Sequence, residues 1–91
     1  MEAVKKAPDG TFTVLGSENF KDMLETIAKE NAHNIDDVPA TTVANWIMEK
    51  LGRMPRAGEK LTWRFLTISV LKVYRHRVLE VSVSVDSKQM P

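Results

Sequence analysis

A nine-residue segment near the middle of the chain constrains the fold most. Its sequence is Leu51-Gly52-Arg53-Met54-Pro55-Arg56-Ala57-Gly58-Glu59, and it combines a glycine suited to end a helix, a proline that forbids further helix and a second glycine. Residues 60–85 follow at once and are rich in β-branched and alternating apolar residues. The segment therefore divides the chain into a helical half and a strand half.

Two amphipathic helices are predicted in the first half. Ser17 is placed to cap the first helix, Thr41 or Thr42 the second, and Gly52 is placed to end the second in the left-handed conformation. Since each helix is apolar on one side, we expect both to cover the same face of one sheet. The apolar positions are Phe20, Met23, Leu24, Ile27 and Ala28 in the first helix, and Val43, Trp46, Ile47 and Leu51 in the second.

The strands are predicted from period-two alternation. A first strand follows the Asp9-Gly10 turn, and three more lie in residues 61–63, 66–70 and 81–85. At Val70-Leu71 the alternation slips by one residue, which predicts a β-bulge or an exposed Leu71. The expected fold is α+β, with one small sheet of about four strands and two helices packed on one face, in the order strand-helix-helix-strand-strand-strand.

The predicted core contains the inward-facing residue of each element. Because Trp46 and Trp63 share the phase of neighbouring apolar residues, core filling is favoured over a stacking platform for an adenine or flavin ring. The core residues are Phe12, Val14, Phe20, Leu24, Ile27, Trp46, Ile47, Leu51, Leu61, Ile68, Val70, Val81 and Val83.

The domain is predicted to span residues 9–86. Residues 1–8 are polar and are interpreted as a linker or the boundary of an excised domain, and residues 87–91 as a flexible tail. No apolar run approaches the roughly 20 residues that span a bilayer, and no signal peptide is visible. The chain has no cysteine, which excludes disulfides and thiolate metal sites and is consistent with a reducing cytosol.

Charge is distributed unevenly along the chain. Residues 1–45 contain four Lys and eight Asp or Glu, a net of −4, so the remaining residues carry +5 of the total of +1. A basic half attracts nucleic acid or phosphate, but separated signs are more typical of self-association or solubility. We therefore predict no nucleic-acid partner, and a weak homodimer that forms through an edge strand or through the acidic first helix against a basic hairpin.

Candidate sites for chemistry are few. No nucleophile has a neighbouring base, so no catalytic residue is predicted. His33 and His76 lie in different breaks and are interpreted as surface histidines. Asp36 and Asp37 offer oxygen ligands to Mg²⁺ or Ca²⁺, yet they lack an EF-hand pattern and are weak metal candidates beside the interpretation as solvated loop acids.

The densest basic stretch supplies the interaction candidates. These residues are suited to anionic lipid head groups, to a nucleotide phosphate, or to an acidic partner face such as Glu18, Asp22 and Glu25. The alternative interpretation is that these side chains are solvated charges on a hairpin and bind none of these partners. The candidates are Arg64, Lys72, Arg75, His76 and Arg77.

The order of elements resembles the CorC/HlyC domain, also called the transporter-associated domain. The resemblance covers about Asp9 to Val85. It is carried by Leu51-Gly52-Arg53-Met54-Pro55 with Gly58-Glu59, and by Asp9-Gly10-Thr11-Phe12 ahead of an amphipathic helix. Such domains often have glycine in the tight turns between their last strands, whereas Arg64-Phe65 and residues 74–77 contain none.

The resemblance implies a non-catalytic regulatory or interaction domain on the cytoplasmic side of the bacterial inner membrane. Its hosts are membrane proteins with a transmembrane domain and a pair of CBS domains, called hemolysins or magnesium and cobalt efflux proteins, and these other domains are the implied partners. The alternative is a sensor that binds a nucleotide, a flavin or a divalent metal. No cofactor is predicted, because no glycine-rich phosphate loop follows a strand.

Overall fold

The computed structural model describes residues 3–28 and 36–86 of the chain. The predicted tail, His33 and half of the predicted loop at residues 31–40 lie outside the described residues. The elements, in chain order, are β1 (Val4–Lys6), β2 (Phe12–Leu15), α1 (Phe20–Ala28), α2 (Val43–Leu51), β3 (Lys60–Trp63), β4 (Leu66–Tyr74) and β5 (Arg77–Val85).

The strands form one antiparallel sheet in the order β1-β2-β5-β4-β3. The α+β class is confirmed, with five strands where about four were expected. The carboxy-terminal strand β5 lies in the middle of the sheet, and the edges are β1 and β3. Neither helix in the described ranges is long and apolar enough to cross a membrane.

The additional strand is β1, which lies in the segment interpreted as a linker. Val4 pairs with Val14 of β2 across the Asp9-Gly10 turn. The Asp9 carboxylate accepts hydrogen bonds from the Thr11 amide at 3.0 Å and the Thr11 hydroxyl at 2.7 Å, which stabilises this turn. The linker interpretation is therefore wrong for Val4–Lys6, because a three-residue strand has too little alternation to be seen without its partner.

Helix α1 is capped by Asn19 and not by Ser17. The Asn19 side-chain oxygen accepts hydrogen bonds from the amides of Lys21 at 2.9 Å and Asp22 at 3.2 Å. The helix begins at Phe20, so Ser17 lies two residues before the capping position and its hydroxyl does not cap the free amides. The predicted cap was wrong, although the apolar face of this helix was predicted correctly.

Helix α2 has the predicted ends. The Thr42 hydroxyl accepts a hydrogen bond from the Asn45 amide at 3.1 Å. Gly52 has φ 70° and ψ 13°, and its amide donates to the Met48 carbonyl. This left-handed conformation favours glycine and ends the helix.

One apolar core lies between the helices and one face of the sheet. Most predicted core residues are buried, whereas Phe12, Leu51 and Leu61 are partly buried at its margin. The ring centroids of Trp46 and Trp63 lie 5.1 and 5.2 Å from that of Phe20, so both indoles pack in or against the core. The buried residues that sequence analysis omitted are Met23, Val43, Phe65, Leu66 and Val78.

Candidate functional site

The long hairpin of β4 and β5 extends beyond the rest of the sheet. The pairing of β2 with β5 ends at Glu80, and the pairing of β3 with β4 ends at Ser69. Beyond these points the two strands pair only within the hairpin, through Lys72 with Glu80, Val73 with Val78 and Tyr74 with Arg77. We call residues 71–79 the basic arm, because four of its nine side chains are basic and none is acidic.

Two register shifts lie at the base of this arm. Val70 pairs with Val81, and the next pair along the ladder is Lys72 with Glu80, so Leu71 is an extra residue on β4. The predicted irregularity at Val70-Leu71 is confirmed. A bulged residue lacks a partner in the ladder and is turned away from the regular faces, and Leu71 is 42% exposed.

A second shift follows on β5 and compensates the first. After Lys72 with Glu80, the next pair is Val73 with Val78, which leaves Leu79 as an extra residue on β5. Leu79 is also 42% exposed, whereas Val78 is buried. This second bulge was not predicted from the sequence. Val78 was also absent from the predicted core, because the last strand was predicted to begin only at Val81.

The arm ends in a two-residue turn formed by Arg75 and His76. Their φ angles are 47° and 64°, both in the left-handed region that costs a non-glycine residue about 1 kcal/mol or more. Positive φ at both central residues is typical of a type I′ turn, which normally contains Asn-Gly. The missing glycine noted in the sequence therefore gives a short, strained turn that presents two basic side chains.

The exposed large hydrophobic residues of the described chain all lie in the basic arm. They are Leu71, Leu79 and Tyr74, which is 58% exposed. The Arg75 guanidinium lies over the Tyr74 ring, 5.2 Å from its centroid. Cationic and apolar side chains are thus intermixed at one end of the molecule.

The structure brings together four of the five predicted interaction residues and separates the fifth. Lys72, Arg75, His76 and Arg77 lie in the arm, whereas Arg64 lies in the turn before β4. β4 has nine residues, so at about 3.3 Å per residue its ends are roughly 26 Å apart. Grouping Arg64 with the others was wrong, because the length of β4 separates them.

An open cleft of about 720 Å³ lies between the arm, the turn after β2 and helix α2. Lys72, His76 and Arg77 line it from the arm, and Ala44 and Met48 line it from α2. The ammonium nitrogen of Lys72 lies 3.9 Å from the carboxylate of Glu80, its neighbour on β5, which also lines the cleft. The cleft thus has basic side chains on the arm, one carboxylate beside them, and both apolar and polar side chains from the rest of the lining.

The motif after α2 has a structural role. Arg53 binds the Glu59 carboxylate through both guanidinium nitrogens, and the Arg56 amide donates to the same carboxylate. The Arg53 hydrogen bonds, followed by that from Arg56, lower the pKa of Glu59 to about 2. Gly58 has φ 95°, and its amide donates to the Val70 carbonyl at 2.7 Å. These contacts hold the turn against β4.

The weak metal candidates Asp36 and Asp37 are exposed. Residue 37 has φ 58°, which an aspartate tolerates in a turn. Within residues 3–28 and 36–86, no group of three or more His, Cys, Asp or Glu side chains is placed to hold a metal ion. The described residues thus give the pair no further ligands.

Comparison with known proteins gives one match to a family model. Residues 5–87 match the transporter associated domain, CorC_HlyC. The chain belongs to this family. A search of curated proteins found no match.

Three solved structures with the same fold are CorC/HlyC domains or related regions. A Xylella fastidiosa Temecula1 hemolysin domain in complex with Mg²⁺ and Mn²⁺ has 21% identity and a TM-score of 0.76, covering 92% of this chain and 98% of that one. A region associated with a proposed Mg²⁺ and Co²⁺ transporter (CorC) from Neisseria meningitidis MC58 has 15% identity, a TM-score of 0.75 and coverage of 92% and 99%. The transporter associated domain of a Porphyromonas gingivalis CBS domain protein has 15% identity, a TM-score of 0.70 and coverage of 90% and 95%.

Proposed function

We propose that this CorC/HlyC domain is a non-catalytic regulatory domain of a bacterial membrane protein that transports cations. It would lie on the cytoplasmic side of the inner membrane and act by docking to other parts of the same protein, such as a CBS pair or the transmembrane domain. The observation that carries the proposal is the family match over residues 5–87. Relatives described as hemolysin, CorC transporter and CBS-protein domains support it.

The basic arm is the surface best suited to docking. It carries all the exposed large apolar side chains of the described residues, together with four exposed basic side chains. The strained turn at Arg75 and His76 adds support, since strain of this kind is concentrated at functional sites. Local stability alone would favour glycine at the second of these positions.

Transport by the full-length membrane protein tests the proposal. Lys72→Gln, Arg75→Gln and Arg77→Gln together remove three arm charges while leaving the core intact. A matched control, Lys5→Gln, Lys6→Gln and Lys60→Gln, removes three exposed charges elsewhere. We expect the arm variant to change the rate of divalent-cation transport and the control to leave it unchanged. Equal rates in both variants and the unchanged protein would contradict the proposal.

A ligand sensor is the second candidate, and the cleft is the observation that favours it. Lys72, His76 and Arg77 line it together with apolar side chains such as Met48, an arrangement suited to a small anionic molecule with an apolar part. Titration calorimetry with nucleotides, flavins and divalent cations distinguishes the candidates. Saturable binding that the arm variant abolishes would favour the sensor over the docking domain.

A further inference from the structure

The basic arm has an unbalanced positive charge. Lys72, Arg75, His76 and Arg77 all lie within nine residues, and all are exposed. The nearest carboxylate along the chain is Glu80, which lies 3.9 Å from Lys72. The Lys72 side chain nevertheless remains 67% exposed. The basic side chains of the arm thus remain accessible to an external anion.

The same nine residues carry apolar side chains that the core does not use. Leu71 and Leu79 are unpaired at the two compensating bulges, and Tyr74 lies directly before the turn. A regular ladder without bulges would pair every strand residue of the arm and alternate the side chains between the two sheet faces. The two shifts instead leave both leucines exposed, close in sequence to the arginines.

The arm is also placed to reach a flat surface. It projects past the end of β2 and past the paired part of β3, and its turn is its outermost point along the hairpin. Arg75 and His76 occupy that turn, with Tyr74 and Arg77 paired directly behind it. A surface that meets the end of the hairpin therefore contacts the basic side chains and the Tyr74 ring at once, and Leu71 and Leu79 lie behind them at the base of the arm.

From these observations we infer that the basic arm binds the surface of an anionic phospholipid bilayer. Arginine and lysine are attracted to the head groups, while leucine and tyrosine side chains enter the interface between head groups and acyl chains. An acidic protein surface matches the charges but leaves the three apolar side chains exposed unless it also has apolar pockets. An anionic bilayer accommodates both the basic and the apolar side chains and needs no preformed pockets.

The inference rests on the proposed function in one respect, namely that the domain lies beside the membrane as part of a membrane protein. A few charges and three apolar side chains give modest, reversible binding. For a domain tethered to a membrane protein, a high effective concentration makes modest affinity sufficient. Lipid contact would then orient the domain against the membrane and restrict where it docks.

Co-sedimentation with lipid vesicles tests this inference on the 91-residue chain itself. We expect binding to vesicles of phosphatidylcholine mixed with phosphatidylglycerol, no binding to phosphatidylcholine alone, and weaker binding as salt is raised. Each basic residue near an anionic surface contributes about fivefold in partitioning, so the triple arm variant should lose on the order of a hundredfold. The control at Lys5, Lys6 and Lys60 should lose much less.

A second variant tests the apolar contact separately. Tyr74→Trp places an indole in the arm, while Trp46 is buried and Trp63 lies at the far end of β4. Brominated lipids should quench the added fluorescence of this variant when it binds anionic vesicles. Absence of quenching despite binding would overturn the insertion of the arm.

Three outcomes would overturn the inference as a whole. They are equal binding to neutral and anionic vesicles, equal losses in the arm and control variants, and binding to polyglutamate with none to vesicles. If vesicles are not bound while the arm variant still changes cation transport in the full-length protein, the lipid inference fails and the docking function stands. If the arm variant leaves the transport rate unchanged while the unchanged domain binds vesicles, the docking function fails and the lipid inference stands.

Discussion

Gly16 is the residue at which the turn after β2 touches β5. Its amide donates to the Leu79 carbonyl at 2.9 Å, and its own carbonyl accepts from the Ala44 amide at 2.9 Å. A Cβ at this position would lie 1.9 Å from the Val78 carbonyl oxygen. Glycine is therefore required here by close approach of two backbones, and this approach fixes the base of the basic arm against α2.

Gly16→Ala should destabilise the domain by about 2 to 3 kcal/mol, because the backbone must move to relieve the contact. Gly10→Ala is the matched control, since a Cβ there meets nothing within 4 Å and only the φ of 91° opposes it. The control should cost about 1 kcal/mol. Urea unfolding measures both, and a smaller loss at Gly16 than at Gly10 would refute the contact.

Glu59 makes the stability of the domain depend on pH. Its carboxylate is stabilised by Arg53 and the Arg56 amide, which lowers its pKa from 4.5 to about 2. A carboxyl group with a lowered folded-state pKa contributes stability that is complete above its unfolded pKa. That contribution is lost as pH falls from about 4.5 towards 2.

We therefore expect Glu59→Gln to lower the urea midpoint at pH 7 and to reduce the loss of stability between about pH 4.5 and 2. The measurement is the urea midpoint of both proteins across this range. Glu49, which is exposed on α2, supplies the control substitution Glu49→Gln. Parallel pH profiles for the unchanged protein and Glu59→Gln would show that the Arg53 contact does not stabilise the fold.

At the scale of elements, features set by neighbouring residues were predictable. The apolar faces of α1 and α2, the Thr42 cap and the Gly52 end depend on residues within one or two helical turns. Strand β1 was missed because it exists only through pairing with β2. Phe65 was missed because it was assigned to a turn, although it is buried.

The candidate site was predictable in part, because some of its residues are neighbours in the sequence. Lys72, Arg75, His76 and Arg77 are close in sequence, so their grouping needed no tertiary information. The exposure of Leu79 depends on how β4 and β5 pair, and a single strand does not reveal that register. The separation of Arg64 likewise follows from the nine-residue length of β4.

A substitution in the turn of the basic arm should stabilise the fold and weaken binding to anionic vesicles. Arg75→Asn with His76→Gly gives the residues that a type I′ turn favours and relieves the positive φ at both positions. We expect the free energy of unfolding to rise by about 1 kcal/mol or more, and binding to anionic vesicles to fall. Urea unfolding and co-sedimentation on the same variant measure the two effects, and a loss of stability would contradict the turn assignment.

At the scale of the whole molecule, the predicted weak homodimer stays a prediction. The edge strands are β1, which contains Lys5 and Lys6, and the four-residue β3, which begins with Lys60. Short edges with lysine disfavour strand pairing, so we expect any dimer to form through acidic α1 and the basic arm. Sedimentation velocity at low and high salt checks this. A monomer in both conditions would refute the dimer, and a salt-indifferent dimer would indicate strand pairing.

The proposed docking surface of the domain is the basic arm, residues 71–79. Amide hydrogen exchange tests this most directly, measured on the isolated chain and on the same domain within its full-length protein in a lipid membrane. We expect slower exchange within residues 71–79 in the membrane protein and little change at Lys60–Trp63, the edge strand that pairs with the first half of β4. Unchanged exchange in the arm, with protection elsewhere on the domain, would contradict it.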